Sequence, residues 1–511
     1  AKDEAFTYQA GKMSNFAIRV DKKGIEGQYA LTLISESITA WENDLVSHDA
    51  TAKEYVVINS TAGHLKEAIE AAGKDYKKLK NLKITGQINK TDFYFMRDEM
   101  DKLQALNLKE VRIKAEGRSG LYDSECLDDQ IPGSAFFWNS TMQGKDLVRL
   151  VLPDTLKSIG DHAFYGCKYL SGSLIIPEGV EEIQMGAFNN CTGLNGTLSL
   201  PTTLKYLGTK GNDPDKETAD EGTDYYGGVF QNCSGLVGEL ILPDNLELIR
   251  GYCFSGCNGL TGELRLPDKL RRLGNCAFSG CEGLTGSLSI PQEIQVIPSE
   301  AFNGCGFDGT LQLHDGITNI GNNAFSGCHF KGELVLPKYL SVIANEAFYA
   351  NDFSGVLKIP SGITAIGKKA FAYNWRLMGI LEFPEGLESI GAGAFAQCRM
   401  LEGLVFPESM ETIRSDNDWD GGAQGAFQEC YGIGSIVCKG EMPPTIYAKT
   451  FDGVAKDNFT LEVPESAIRQ YQAASGWCDF KRIAAHHELV CRPSLACAIN
   501  TEHKQTLVID A

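Results

Sequence analysis

The stretch Leu264-Arg-Leu-Pro-Asp-Lys-Leu-Arg-Arg-Leu-Gly-Asn-Cys-Ala-Phe-Ser-Gly-Cys-Glu-Gly-Leu-Thr-Gly286 decides the fold of this chain. Its first three residues alternate with period two, which predicts a short strand with Leu264 and Leu266 inward and Arg265 outward. Pro267 ends the strand, and glycines then recur every six residues, where the chain must turn. One such coil cannot bury its own apolar side chains, so the pattern predicts that coils stack on one another.

The same unit recurs along most of the chain, marked by a phenylalanine that usually follows an alanine. Most steps between these phenylalanines are 23 or 24 residues, which is typical of a solenoid. Two long steps place insertions at 208–228 and 414–425. The thirteen repeat phenylalanines are Phe136, Phe164, Phe188, Phe230, Phe254, Phe278, Phe302, Phe325, Phe348, Phe371, Phe395, Phe427 and Phe451.

Residues Leu156 to Pro177 show the complete pattern, Leu-x-x-Ile-Gly-x-x-Ala-Phe-x-Gly-Cys-x-x-Leu-x-Gly-x-Leu-x-Ile-Pro. This pattern resembles the BspA-like subfamily of leucine-rich repeats, common in surface proteins of Bacteroides-type bacteria. The resemblance implies a repeat solenoid of about 23–24 residues per coil. It also implies one short parallel strand per coil, a β-rich fold with little helix, and a protein displayed at the cell surface for adhesion.

The predicted organisation is one long solenoid with covers at its ends. We expect a small β unit in residues 1–55 and an N-terminal α/β cap in 56–120. The solenoid of about 13 coils then occupies 121–455, followed by a cap strand and helix in 456–485. Terminal coils need such covers because a bare end would expose apolar side chains. Residues 486–511 are interpreted as the start of a truncated β segment.

Composition argues against several classes of partner. The 511 residues contain 47 Lys and Arg against 66 Asp and Glu, a formal charge of −19, and 43% are hydrophobic. An acidic chain repels phosphate backbones and anionic lipid headgroups, so we expect no nucleic-acid binding. No apolar run approaches the roughly 18 residues of a membrane-spanning helix. We expect a monomer anchored to a bacterial envelope through a region outside this chain, as an outer-membrane lipoprotein, or else secreted.

The cysteines follow the repeat. Nine of the 16 lie three residues after a repeat phenylalanine, and three other coils carry Asn139, Asn351 or Asn374 there. Cysteine and asparagine can both donate to a backbone carbonyl at a buried turn, which predicts a stacked structural ladder of unreactive thiols. Cys253 and Cys276 lie on adjacent coils, and whether they form a disulfide stays open. The nine ladder cysteines are Cys167, Cys191, Cys233, Cys257, Cys281, Cys305, Cys328, Cys398 and Cys430.

Neither H-E-x-x-H nor G-x-S-x-G occurs, and we expect no enzymatic activity. The insertions are the best functional lead, because loops at equivalent points of a solenoid emerge on the same side. The second insertion opens like a calcium loop, D-x-D-x-D-G, but Phe427 stands where the closing glutamate should be, and no other cofactor is expected. The candidate ligand-binding residues are Asp213, Asp215, Tyr225, Tyr226, Trp419 and Asp420, and the weak calcium candidates are Asp416, Asp418 and Asp420.

The leading hypothesis is a non-enzymatic cell-surface or secreted protein that binds a host or matrix protein. One alternative is a surface glycan-binding protein that recognises a polysaccharide through Tyr225, Tyr226 and Trp419; another is a non-catalytic binding arm of a larger enzyme. The outward strand positions contain no aromatic residue, which disfavours sugar stacking on that face. Those positions are Val151, Ile175, Ser199, Ile241, Arg265, Ser289, Gln312, Val335, Lys358, Glu382 and Val405.

Overall fold

The computed structural model describes residues 18–21, 30–33, 55–117, 125–138, 143–208, 228–414 and 424–486. The chain divides into two units, Ala1–Lys53 and Glu54–Ala511. In the first unit, strands β1 (Ile18–Asp21) and β2 (Ala30–Leu33) pair in antiparallel fashion.

The second unit is a parallel β-solenoid of about 16 turns with little helix. The solenoid and its low helix content were predicted, although the sequence indicated about 13 coils. Its first strands are β3 (Val56–Ser60), β4 (Asn81–Ile88) and β5 (Ala105–Ile113), which form one parallel sheet with the strand Arg149–Val151. Helices α1 (Leu65–Ala71) and α2 (Lys90–Glu99) connect them.

Asp92 ties the starts of these two helices together. Its carboxylate accepts the backbone N–H of Asn89 in a capping box, and also those of Gly63 and Leu65 at the start of α1. Three hydrogen bonds to one carboxylate satisfy backbone donors that helix starts otherwise leave unpaired.

One row of pairs runs along the inward isoleucine or leucine that lies five residues before the repeat phenylalanine, or before the insertion in the two coils that have one; we call it the Ile ladder. It is continuous over six strands, then two, then five. Its strands are β6 (Gln130–Ile131), β10 (Ser158–Ile159), β12 (Glu182–Ile183), β14 (Tyr206–Leu207), β16 (Leu248–Ile249), β18 (Arg272–Leu273), β21 (Val296–Ile297), β23 (Asn319–Ile320), β25 (Val342–Ile343), β27 (Ala365–Ile366), β29 (Ser389–Ile390), β31 (Thr412–Ile413) and β33 (Thr445–Ile446).

A second row follows the ladder cysteine and reaches the repeat proline; we call it the Leu ladder. Its strands are β9 (Arg149–Val151), β11 (Leu174–Ile175), β13 (Leu198–Ser199), β15 (Gly238–Glu239), β17 (Leu260–Glu263), β19 (Leu284–Thr285), β20 (Leu288–Ser289), β22 (Leu311–Gln312), β24 (Lys331–Gly332), β26 (Asp352–Gly355), β28 (Arg376–Glu382), β30 (Met400–Phe406), β32 (Ser435–Cys438), β34 (Leu461–Val463) and β35 (Ile483–Ala485). A short antiparallel pair, β7 (Phe137–Trp138) with β8 (Gln143–Gly144), lies outside both ladders.

The prediction of one strand per coil was therefore incomplete, because most coils pair along both ladders. The strand predicted at Leu264–Leu266 was also misplaced, since that coil pairs through β17, four residues earlier. The predicted alternation is nevertheless present, with Leu264 and Leu266 buried and the Arg265 side chain exposed.

The thirteen repeat phenylalanines form one continuous ring stack through the core. Adjacent rings lie 5.1–5.8 Å apart between centroids and are nearly parallel. Phe93 of α2 packs edge-on against the first ring, and Trp477 packs against the last. Three 23-residue coils add buried Phe307, Phe330 and Phe353 where longer coils carry leucine, as expected if volume compensates for the missing residue.

The C-terminal end is closed by helix α3 (Ile468–Ala473) and the residues after it. The Tyr471 hydroxyl donates to the carbonyl of Gly440, and the indole N–H of Trp477 donates to that of Pro444. Both aromatic side chains are fully buried, so they cover the last coil without leaving a polar atom unpaired.

Candidate functional surfaces

The cysteine ladder is a hydrogen-bonded structural element, as predicted. Eight of its thiols donate to the carbonyl of the repeat phenylalanine one coil earlier, with sulfur–oxygen distances of 2.9–3.2 Å. Cys167 is farther from its acceptor, at 4.0 Å. Asn351 and Asn374 use their amide groups in the same way, each at 2.8 Å, while Asn139 lies outside the described residues.

Burial also makes these thiols unreactive. It raises the pKa of Cys257 and of Cys328 to about 12, because the interior disfavours a thiolate. A nucleophilic cysteine needs a lowered pKa and access to solvent. Cys253 and Cys276, whose pairing the sequence left open, are both buried, and the structure shows no disulfide between them.

The residues first proposed as ligand-binding lie outside the described part of the chain. This holds for Asp213, Asp215, Tyr225 and Tyr226 of the first insertion. It holds equally for Asp416, Asp418, Trp419 and Asp420 of the second. Their proposed roles therefore stay predictions.

The points where the insertions leave and rejoin the solenoid are described, and they match. The first leaves after β14 and the second after β31, at the same step of the Ile ladder. The two coils are eight steps apart in the phenylalanine stack. Each insertion thus begins at an equivalent point, as predicted.

Both insertions rejoin through the same four-residue motif, Gly-x-Phe-Gln, which was not predicted from the sequence. Gln231 accepts the N–H of Gly228 at 3.2 Å, and Gln428 accepts that of Gly425 at 3.2 Å. In ordinary coils the N–H at this position donates to the next coil instead, as Glu300 does to Asn322. The glutamine therefore supplies an acceptor within the same coil. Glutamine follows the repeat phenylalanine in these two coils alone, so the sequence itself marks the two coils that carry insertions as different.

The glycine of the motif is required by close backbone approach. A Cβ atom on Gly228 would lie 1.9 Å from the carbonyl oxygen of Tyr252, and one on Gly425 would lie 1.6 Å from that of Lys449. No side chain fits at such distances, so the rejoining coil packs directly on its neighbour.

A polar groove of about 290 Å³ opens where Leu264–Leu266 leaves the Leu ladder. Its side chains carry charges, hydroxyls and an amide, and the Arg265 guanidinium lies 3.7 Å from the Glu263 carboxylate. Ligand pockets are usually lined by apolar and aromatic groups, and this groove has no ring for a sugar to stack on. Its polar lining is Glu263, Arg265, Asp268, Ser287, Ser289 and Gln312.

A cluster of exposed apolar side chains on adjacent coils is the stronger candidate. It lies on and beside β28 and β30, which at seven residues each are the longest strands of the Leu ladder. Met378 pairs with Met400 in register, and Ile380 pairs with Gly403. We call this cluster the apolar patch. Its members, 36–55% exposed, are Val356, Trp375, Met378, Ile380, Met400 and Tyr431.

One edge of the apolar patch is held in place by polar contacts. The Arg399 guanidinium donates twice to Gln397, at 3.0 and 2.7 Å, and lies 5.8 Å from the Tyr431 ring. Gln397 in turn donates to Glu429, and a hydrogen bond with Glu429 raises the pKa of Tyr431. These contacts fix the arginine and the tyrosine before any partner arrives, which lowers the entropy cost of binding.

The apolar patch was not predicted from the sequence, because two of its aromatic side chains do not lie at the outward strand positions. Trp375 and Tyr431 lie instead at the residue that follows the ladder cysteine or asparagine. Most coils carry a polar or small residue there, so the two aromatic side chains were a visible departure from the pattern.

A parallel solenoid with this period, a buried Leu/Ile framework and a cysteine–asparagine ladder defines a leucine-rich repeat protein. The family model described as the BspA type leucine rich repeat region matches in six copies, over residues 134–210, 225–352 and 309–417, more than half of the chain. The chain therefore belongs to the BspA type leucine-rich repeat family, as the resemblance implied.

Three solved structures are similar to this chain. A leucine-rich repeat protein from Bacteroides ovatus is 20% identical over 83% of this chain and 93% of that one, with a TM-score of 0.46. A leucine rich cell surface protein from Faecalibacterium prausnitzii is 20% identical over 74% and 96%, with a TM-score of 0.39. A leucine rich repeat protein of T. pallidum is 24% identical over 39% and 69%, with a TM-score of 0.24. No curated protein matches the chain significantly.

Two features are absent from the described residues. None of their helices combines the length and the apolar character needed to cross a bilayer. No three histidine, cysteine, aspartate or glutamate side chains among them converge as metal ligands.

Proposed function

We propose that this chain is a non-enzymatic protein of the bacterial cell surface, or a secreted one, that binds other proteins through the apolar patch. The patch itself carries the proposal. Tryptophan, tyrosine and methionine are enriched in the cores of protein interfaces, and exposed apolar clusters mark interaction sites. Membership of the BspA type family supports display at the cell surface and adhesion as its purpose.

A non-catalytic role is supported by the condition of the reactive groups. The most numerous candidate nucleophiles are the ladder thiols, which burial keeps protonated at neutral pH. The repeated side chains serve the stacking of coils, while the outward positions vary from coil to coil. Variation on a constant scaffold is how repeat proteins build extended binding surfaces.

The test compares two double variants that place glutamates at half-exposed strand positions. Met378→Glu with Ile380→Glu charges the apolar patch, and Val296→Glu with Val342→Glu charges the Ile ladder as a matched control. Beads coated with collagen, fibronectin, laminin or this chain itself are tested for retention of each variant. We expect at least tenfold weaker retention of the patch variant and wild-type retention of the control. Equal retention of both variants, or no retention of the wild type, would overturn the proposal.

The shared Gly-x-Phe-Gln motif favours a second candidate, in which the insertions carry a glycan ligand. The solenoid is adapted at both rejoining points, and Tyr225, Tyr226 and Trp419 would supply stacking rings. Glycan-array binding that disappears in Tyr226→Ala or Trp419→Ala would support this function. An array without signal for the wild type would reject it.

A further inference from the structure

Charges of opposite sign flank the apolar patch at its two ends. Arg376 begins β28, and Arg399 directly precedes β30. Glu382 ends β28, and Glu402 lies within β30 beyond Met400, at the register shift between the strands. Six residue-to-residue steps of strand separate Arg376 from Glu382, which is about 20 Å. Along β28 and β30 the patch thus has a basic end, an apolar middle and an acidic end, while the preceding coil places the exposed Lys358 two residues beyond Val356.

The side chains of Arg376 and Glu382 are available to pair with charges of a partner. Within the part of the chain that the structure describes, neither Arg376 nor Glu382 makes a hydrogen bond or ion pair through its side chain, and both residues are exposed. A guanidinium in an apolar surround gains most from a carboxylate, which it can bind with two parallel hydrogen bonds.

This arrangement is complementary to itself. If two copies face each other through a two-fold axis that lies in the contact plane and crosses β28, their strands run antiparallel. Each Arg376 then faces Glu382 of the second copy, and Met378 faces Ile380. On β30 the same axis brings Arg399 toward Glu402. Two-fold contacts use one surface patch on both subunits, so a patch with opposite charges at its ends satisfies the symmetry.

We propose that a second copy of this chain packs on the apolar patch in this antiparallel, two-fold arrangement. The inference rests on the proposed function in that both use the same patch, and it names the partner. It is an alternative to the sequence-based expectation of a monomer.

The net charge of −19 opposes the approach of two copies but does not decide the contact. At physiological salt, charges are screened over about 8 Å, so only charges near the patch act at contact distance. Six side chains make a contact below the standard interface size, and weak, transient contacts are typically of that size. We therefore expect a dissociation constant in the micromolar range. Many copies on one surface would strengthen so weak a contact through multivalency, as adhesion requires.

The test is complementation of charge-reversed variants in sedimentation equilibrium. Arg376→Glu alone and Glu382→Arg alone each place like charges opposite one another in the homodimer. An equimolar mixture of the two restores both opposite-charge pairs, and so does the double variant. We expect each single variant to weaken self-association at least tenfold, and the mixture and the double variant to recover it. All substitutions are at exposed positions, and an unchanged melting temperature confirms folding.

A wild type that stays monomeric up to about 100 µM would overturn the inference, as would self-association unchanged by Arg376→Glu. The proposed function stands after either outcome if the Met378→Glu, Ile380→Glu variant is retained more weakly than the wild type on beads coated with another protein. If the wild type stays monomeric and the Met378→Glu, Ile380→Glu variant is retained as well as the wild type, the patch is not a binding surface.

Discussion

The Cys328 thiol donates a 2.9 Å hydrogen bond to the carbonyl of Phe302, one coil earlier, and the amide of Asn351 makes the equivalent bond to Phe325 one coil later. Two chemically different side chains therefore donate the equivalent hydrogen bond at one position of the repeat. The side-chain oxygen Oδ1 of Asn351 also accepts the N–H of Phe330, so both ends of the buried amide group are hydrogen-bonded.

This equivalence predicts which substitutions the ladder tolerates. Cys328→Ala removes the donor and leaves a small void, and we expect it to lower the free energy of unfolding by about 1–2 kcal/mol. Cys328→Asn keeps a donor and should cost less than the alanine variant. Urea unfolding measures both, with exposed Cys478→Ala as the neutral control. A Cys328→Asn variant less stable than Cys328→Ala would contradict the interpretation of the ladder.

Alkaline pH should destabilise the chain steeply. Thirteen described cysteines are buried, and burial raises the pKa of Cys257 from its ordinary value of 9.0 to about 12. Below pH 9 the folded and unfolded states both keep the thiol proton, so stability is unaffected. Between pH 9 and 12 only the unfolded state releases it, so each such thiol lowers stability by up to about 1.4 kcal/mol per pH unit.

The measurement is the urea midpoint at pH 7.5, 9.0 and 10.0. We expect little change over the first interval and a large fall over the second. In Cys257→Asn the fall of the urea midpoint between pH 9.0 and 10.0 should be smaller, because one buried thiol no longer releases its proton on unfolding. An alkaline dependence equal in wild type and variant would show that this thiol does not contribute.

The Gly-x-Phe-Gln motif predicts a local cost for altering an insertion's return. Gly425→Ala would force a Cβ into the carbonyl oxygen of Lys449 and should cost more than about 2 kcal/mol. Gln428→Ala removes the acceptor of the Gly425 N–H and should cost about 1–2 kcal/mol. Gly117→Ala, where a Cβ meets nothing within 4 Å, is the matched control. Thermal melts that rank Gly117→Ala with Gly425→Ala would disprove the close-approach argument.

The calcium hypothesis for Asp416, Asp418 and Asp420 has its own test. If the second insertion binds calcium, the melting temperature should rise with calcium and fall with EDTA, because a ligand of the folded state stabilises it by mass action. Asp418→Asn should abolish the rise. A melt that is identical in calcium and in EDTA rejects the hypothesis.

The repeat made the interior predictable. A strict period places every repeat phenylalanine and every ladder cysteine in the same surroundings, so one coil such as Leu264–Gly286 suffices to infer the stack and the ladder. Pairing along the coil was less predictable, because Leu264–Leu266 has the strand pattern yet the backbone pairs earlier, at β17.

The surface was predictable only where residues depart from the repeat. Trp375 and Tyr431 are such departures, but deciding that they adjoin Met378 and Met400 required the register between β28 and β30. The role of Gln231 and Gln428 could be recognised only from the hydrogen bonds of the structure. These show that the N–H of Gly228 and that of Gly425 donate to the glutamine of the same coil. Neither fact follows from side-chain periodicity.

Methionine oxidation gives the most direct test of the apolar patch as the protein-binding surface. Met378 and Met400 lie in the patch, and Met442, which is 74% exposed, lies outside it and serves as an internal control. The chain is treated with peroxide free and bound to the bead-coated protein that retains it best, and the sulfoxides are counted by mass spectrometry. We predict that binding protects Met378 and Met400 severalfold and leaves Met442 unprotected. Equal oxidation of all three in the free and bound chain would contradict the account.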